Sequence, residues 1–218
     1  PSIGSGAIRR QSHTDSSFSM TASTKSDPRL LFFAGSARKN SHNKRLARLA
    51  AQIAEANSIP STFADLADYP MPLYDGDFEV TSGQPENAHK LKNLMKAHTG
   101  IFILSPEYNA SFTPLLKNAI DWISHIRDDG EAPMEVYRTR VFAIGSASPG
   151  GMGGLRGLSQ LRLVLETGIG ALVLPDQFLL PRAVDAYDEH GHLKNKDQQE
   201  QLKTVIQKLA RAARVLHG

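Results

Sequence analysis

Five short apolar runs, Leu30–Ala34, Thr62–Leu66, Gly100–Leu104, Val141–Gly145 and Ala171–Leu174, punctuate a chain whose other apolar residues recur every three or four positions. Runs this continuous suit strands buried on both faces, since a half-exposed strand would alternate with polar residues. Between the runs the period lengthens to that of a helix. Leu46, Leu49, Ala50 and Ile53 share one face while Lys44, Arg45, Arg48 and Gln52 take the other. A weaker helix carries Leu91, Leu94 and Met95 after Pro85, and a stronger one Leu115, Leu116, Ala119, Ile120 and Ile123. Leu155, Leu158, Leu161 and Leu165 predict a fourth, and Leu202, Val205, Ile206, Leu209 and Leu216 a last.

Strand and helix therefore alternate five times, the pattern of right-handed crossovers that build a parallel sheet with helices on both faces. The predicted fold class is α/β: a doubly wound, five-stranded parallel sheet of the flavodoxin-like order 2-1-3-4-5. Its switch point lies between strands 1 and 3, so the loops after those strands are where a ligand is expected. Residues 28–218 read as one domain. Residues 1–27 are rich in Ser and Thr, lack apolar periodicity and read as a tail. Met20 fits a natural start, with residues 1–19 from a vector or an upstream extension; an organellar transit peptide is the less favoured alternative because no amphipathic helix surrounds Arg9 and Arg10.

Composition narrows the chemistry. Hydrophobic residues make up 40% and charged residues 22%, ordinary for a globular chain able to bury a full core. With no cysteine, disulfides, thiolate catalysis and Cys-ligated metals are excluded, and a reducing cytoplasm fits. No apolar run approaches the ~18 residues of a membrane helix, so no membrane span is expected. A net charge of +3 spread along the chain lacks the basic stripe of a nucleic-acid binder. Asp185, Asp188, Glu189, His190 and His192 gather around Gly191; a polar turn explains them better than a metal, and no metal site is expected.

The loop after strand 1, "GSARKNSHNKRLA", places Ser36, Ser41 and Asn43 where a helix begins, with Arg38 beside them. Free first-turn amides, hydroxyls and a guanidinium together suit a phosphate, although Ser41 as a plain N-cap would look the same. G-x-x-x-x-G-K-[ST] and G-x-G-x-x-G are both missing from this loop, which argues against a nucleoside triphosphate and a dinucleotide pyrophosphate. After strand 3 comes "SPEYNASFTPLLKNAIDWIS". Thr113 and Pro114 explain its second half as N-cap and first helical residue. Pro106 stiffens the first half, so that the amides of Glu107, Tyr108, Asn109 and Ala110 can face the edge of a flat heteroaromatic; a turn with an exposed Tyr108 is the alternative. The loop after strand 4 adds Ser146, Ser148, Gly150, Gly151, Gly153 and Gly154, which would let backbone approach a ligand closely.

Three ordered motifs resemble the flavodoxin-like NADPH-dependent FMN reductases, which include quinone, azo-dye and chromate reductases. "GSARKNSHN" is similar to the family's G-S-x-R-x-x-S-x-N phosphate loop, "PEYNASFTPLLKNAIDWIS" to its P-E-Y-N…P-x-x-L-K-N-A-[IL]-D-W segment, and "MPLYD" to its Leu-Pro-x-Tyr-Asp loop. The likeness runs from about Arg29 to the last helix. It implies FMN as cofactor, NADPH or NADH as co-substrate and a small-molecule electron acceptor reduced by ping-pong hydride transfer. It also implies that Ser36, Arg38, Ser41 and Asn43 hold the phosphate, that Pro106, Glu107, Tyr108 and Asn109 border the ring, and that Ser146, Gly150, Gly151 and Gly153 approach its other side. No catalytic residue is certain, because flavin N5 carries the chemistry; Tyr108 is a candidate donor to the acceptor, with packing its simpler role. Lys39, Arg45 and Arg156 suggest a preference for NADPH. Tyr69, Met71, Leu73, Tyr74 and Phe78 are many apolar residues for one loop, and they suggest a homodimer or homotetramer. Two rivals stay open: a non-enzymatic flavin module for electron transfer or redox sensing, and an oxidoreductase using NAD(P) alone.

Overall fold

The computed structural model describes residues 27–128 and 130–217. The expected start at Met20 and the rest of the tail before Asp27 lie outside the described residues. Strands β1 (Leu30–Ala34), β2 (Ser61–Asp65), β3 (Gly100–Leu104), β4 (Val141–Ala147) and β5 (Leu172–Leu180) form one parallel sheet in the order β2-β1-β3-β4-β5. The predicted flavodoxin-like order is the observed one.

The side-chain period of a strand divides the core into two layers. Leu30, Phe32 and Ala34 of β1, with Phe102 and Leu104 of β3, pack under α1 (His42–Ala56) and the long C-terminal α7 (Lys196–His217). Leu31, Phe33, Ile101 and Ile103 point the other way, under α3 (Glu86–Lys96), α4 (Pro114–His125) and α6 (Leu155–Leu163). Every residue of β1, β3 and β4 is buried, which is why their runs read as continuous.

Several departures have local causes. β5 extends to Leu180, well past the predicted end at Leu174, because the pairing shifts register between Phe142 and Ile144 of β4 and the edge strand bulges around Pro175. The short α2 (Gly76–Ser82) was not expected: it buries none of its residues and is held by Asp75, whose carboxylate accepts from the amides of Asp77 and Phe78. Another short helix, α5 (Glu135–Arg138), follows the 127–133 segment. Near it, the buried Lys92 ammonium donates to Ile126 O at 3.1 Å and pairs with Asp128 and Glu131. Lys96 pairs with the same two acids. Burial alone would raise the Glu131 carboxyl, but hydrogen bonds from Lys92 and Lys96 outweigh it and hold the pKa at about 2.

The apolar loop before α2 divides. Tyr69 and Met71 pack on the core, and Tyr74 lies edge-on to the buried Trp122, whose Nε1 donates to Pro72 O at 2.8 Å. Leu73, 79% exposed, does not. The turn 185–193 is built as a polar turn: Asp188 Oδ1 accepts from the amides of His190 and His192.

Candidate functional site

Register sets the site. Ala34, Leu104 and Gly145 are aligned across β1, β3 and β4, so three loops leave the sheet at one level. They are stitched at once: Gly35 N donates to Leu104 O at 2.9 Å and Ser105 N to Gly145 O at 2.8 Å. Gly35 is glycine for a steric reason. A Cβ there would stand 2.9 Å from Leu116 Cβ and 3.1 Å from Thr113 Oγ1. Thr113 Oγ1 itself donates to Gly35 O at 2.6 Å and caps α4 by accepting from Leu116 N, so β1 and α4 meet through this one hydroxyl.

Where the three loops converge lies a hollow of about 140 Å³. The first loop lines it with Ser36, Arg38, Ser41, His42 and Asn43, the second with Pro106, Glu107 and Tyr108, the third with Ala147, Ser148 and Pro149. Ser41 is the N-cap of α1, its hydroxyl accepting from Lys44 N at 3.4 Å. Ser36 Oγ accepts from Arg38 N at 3.3 Å, and the exposed Arg38 guanidinium touches only Asn40 O, at 3.1 Å, among the described residues. The helix amide dipoles add a partial positive charge at this end. His42, the first residue of α1, is held below its ordinary pKa by partial burial first and then by Arg38 and Arg45.

Two expected ligand residues have their polar groups engaged within the protein. Asn43 is buried; its Nδ2 donates to Ala147 O and its Oδ1 accepts from Ala147 N, both at 2.8 Å. It lines the hollow and ties the start of α1 to the end of β4. Glu107 turns its carboxylate onto the first turn of α6, accepting from Arg156 Nε at 2.8 Å, Arg156 N at 3.0 Å and Gly157 N at 3.2 Å. Burial would raise this carboxyl, but the Arg156 and Gly157 hydrogen bonds and the guanidinium charge prevail and lower it. A Cβ on Gly157 would stand 3.0 Å from Ser111 O and 3.2 Å from Glu107 Cβ, so glycine lets the second loop lie directly on α6.

The second loop is a tight hairpin. Tyr108 N donates to Ser111 O at 2.8 Å and Ser111 N to Tyr108 O at 3.0 Å, with Asn109 (φ 50°) and Ala110 (φ 64°) both left-handed between them. The amide of Tyr108 is thus spent internally. Tyr108 lines this hollow and also a second, apolar one, which it shares with Asn109, Phe112, Pro114 and Val164; Asn109 is absent from the lining of the first.

Near the end of β4, just before the third loop, Ser146 is fully buried and its Oγ has no partner among the described residues. Gly154 lies over it with φ +88°; a Cβ would fall 1.9 Å from that oxygen. The intervening chain is pinned to the exit of β5, Ala183 N donating to Ser148 O at 3.0 Å and Arg182 N to Gly150 O at 3.2 Å. Gly150, Gly151 and Gly153 are outside the lining of the 140 Å³ hollow, and Gly151 borders a neighbouring one with Arg182 and Lys194.

Sequence reasoning left out His42, Ala147 and Pro149. His42 could have been found from its place directly after the N-cap, where a side chain shares the anion's end of the helix. The charges suggested for NADPH are also partly engaged: Arg45 stacks 3.9 Å over Tyr187 and Arg156 pairs with Glu107. A larger hollow between β5 and α7 is lined by Asp176, Asp197 and Glu200, which would repel an anion.

Hydroxyls of Ser36, Ser41 and Ser148, first-turn amides of α1 and the Arg38 guanidinium make a donor set that fits a phosphate monoester, with the nearby Glu107 charge neutralised by Arg156. Comparison with known proteins gives the family. The profile of the family described as NADPH-dependent FMN reductase matches residues 28–185. The "Probable NADPH:quinone oxidoreductase 2" of Oryza sativa subsp. japonica is 34% identical over 193 residues, covering 87% of this chain and 91% of that protein. The quinone reductase of Escherichia coli is 37% identical over 131 residues, covering 60% of this chain and 65% of that protein. Among solved structures, the flavoenzyme NAD(P)H:(acceptor) oxidoreductase of Paracoccus denitrificans shares the fold, with a TM-score of 0.71 at 24% identity over 88% of this chain and 99% of that one. With a profile spanning well over half its length and a relative matched nearly end to end, the chain belongs to the NADPH-dependent FMN reductase family.

Proposed function

We propose that the protein is an FMN-dependent NAD(P)H oxidoreductase that reduces quinones or similar small two-electron acceptors. The observation that carries this is the donor-lined hollow at the first turn of α1, flanked by the Pro106–Tyr108 and Ala147–Pro149 walls. When bound, FMN supplies the hydride-accepting and hydride-donating chemistry that lets NAD(P)H and acceptor react in turn. The quinone class is taken from the names of the two sequence relatives.

The chain's own residues bind, orient and brace. Ser36, Ser41, Ser148, the α1 amides and Arg38 hold the phosphate. Asn43 keeps that cradle in register with β4 through its two bonds to Ala147. Pro106 and Tyr108, on a hairpin fixed to α6 by Glu107, would border the ring; the expected approach of Gly150, Gly151 and Gly153 has no support from the lining of the hollow, which they do not join. Tyr108, half exposed at the mouth of the hollow, would pack against ring or acceptor. No acid–base dyad is needed for hydride exchange, and the roles of these residues are binding and positioning.

The reading extends to a homodimer or homotetramer in which exposed Leu73 and Val80, with half-exposed Tyr108 and Met152, meet a second copy. The compartment that goes with this reading is the cytoplasm; no helix among the described residues is long and apolar enough to cross a membrane. The test is direct: protein purified with FMN oxidises NAD(P)H rapidly when a quinone is added, and double-reciprocal plots for the two substrates are parallel. Bound flavin without NAD(P)H oxidation would leave a non-enzymatic flavin module instead. Light scattering that gives the 23.8 kDa monomer mass with activity intact would remove the assembly.

A further inference from the structure

His42 stands at the centre of the phosphate cradle, between the N-cap Ser41 and the tether Asn43, and shares the 140 Å³ hollow with Ser36 and Arg38. Two other histidines are committed to the fold. The His98 ring bonds Leu94 O and Thr62 Oγ1 at 2.7 and 2.8 Å, and that of His125 meets Tyr74 and Glu79 at 3.1 and 3.0 Å. The His42 ring, by contrast, makes no hydrogen bond among the described residues and is half-buried in the lining of the hollow.

Such a ring is charged reluctantly when the hollow holds no anion. Arg38 of the first loop and Arg45 of α1 both oppose its protonation. Glu107 and Tyr108 come to the lining from the second loop, and the Glu107 carboxylate is turned away onto Arg156 and the start of α6. The third loop brings no titratable side chain to the lining. A phosphate dianion placed among these groups reverses the balance, since an opposite charge within hydrogen-bond reach favours imidazolium.

We propose that His42 is a proton-linked anchor of the FMN phosphate: it takes up a proton as the dianion enters, so that cofactor affinity depends on pH. This rests on the FMN reading and deepens it. The sign follows from linkage. Neutral before binding and charged after, His42 strengthens binding as pH falls through its bound-state pKa, by up to about tenfold per pH unit. The phosphate's own second ionisation lies near pH 6, so between pH 7 and 8.5 the free ligand is essentially dianionic and proton uptake belongs to the protein.

The experiment is calorimetric titration of the FMN-free full chain with FMN at pH 7.5, in two buffers of different ionisation enthalpy, repeated with riboflavin. The expected result is a fractional uptake of protons, at most one per FMN, and none with riboflavin. His42→Gln and His42→Asn should lose the uptake and flatten the rise in FMN affinity between pH 8.5 and 7, while riboflavin binding stays unchanged. Uptake that persists in both variants, or FMN binding without uptake in the parent chain, overturns the role of His42. FMN binding no tighter than riboflavin is a different failure and removes the phosphate site itself.

Discussion

Replacing Asn43 by Ala tests whether the site is held together by one side chain. Its amide makes two 2.8 Å bonds to Ala147, a residue 104 positions away and 3% exposed. Truncation strands a buried N–H and a buried C=O at the end of β4, at about 1–3 kcal/mol each. A water entering from the adjoining hollow would recover part of this, so about 2–4 kcal/mol is expected overall. For a domain of this size that corresponds to a Tm lower by about 5–15 °C. Urea unfolding should show a lower midpoint with an unchanged m-value, since the surface exposed on unfolding is the same. FMN affinity should fall in the same variant, because the first turn of α1 is no longer fixed to the third loop. Asn43→Asp keeps the acceptor for Ala147 N but sets an anion against Ala147 O, and should not restore stability. A stability loss below about 0.5 kcal/mol, within the range of ordinary surface substitutions, would refute the tether.

Glu107→Ala and Arg156→Ala should each lower kcat/KM by about tenfold by loosening the hairpin from α6, a loss of about 1.4 kcal/mol of transition-state stabilisation. The Arg156 variant should barely change stability, because its side chain is 59% exposed. Ser146→Ala should leave the FMN-free protein as stable or more so, since it removes an unpartnered buried hydroxyl, whereas Gly154→Ala should destabilise it strongly. Glu131 has a folded-state pKa lowered to about 2, so its contribution is present above the ordinary carboxylate value of 4.5 and is lost as pH falls through 2. Acid unfolding should reveal that slope, and Glu131→Gln should flatten it.

What the sequence made legible follows from how locally each feature is encoded. β1 and β3 could be bounded to the residue because all five positions of each are buried. The end of β5 was hidden by Pro175 and Asp176, which interrupt an apolar run but are absorbed by a bulge at the sheet edge. α2 left no periodic trace because none of its seven residues is buried, and only Asp75 marks its start. The cradle was visible as a set of residue types after the right strands. The engagements of Asn43 and Glu107 were not, because their partners lie 104 and about 50 positions away and spacing carries no trace of them. The burial of Lys92 has the same cause, since its partners Ile126, Asp128 and Glu131 lie more than thirty positions away.

Equilibrium binding of FMN and riboflavin to the FMN-free chain, read by quenching of flavin fluorescence, tests the central claim most directly. The two ligands differ only in the phosphate, for which the first turn of α1, Ser36, Ser41 and Arg38 are assigned. At pH 7.5 FMN should bind tighter by about a hundredfold, equivalent to about 2.7 kcal/mol, and Arg38→Ala should remove about tenfold of that advantage without altering riboflavin affinity. Equal affinities for FMN and riboflavin would contradict the account.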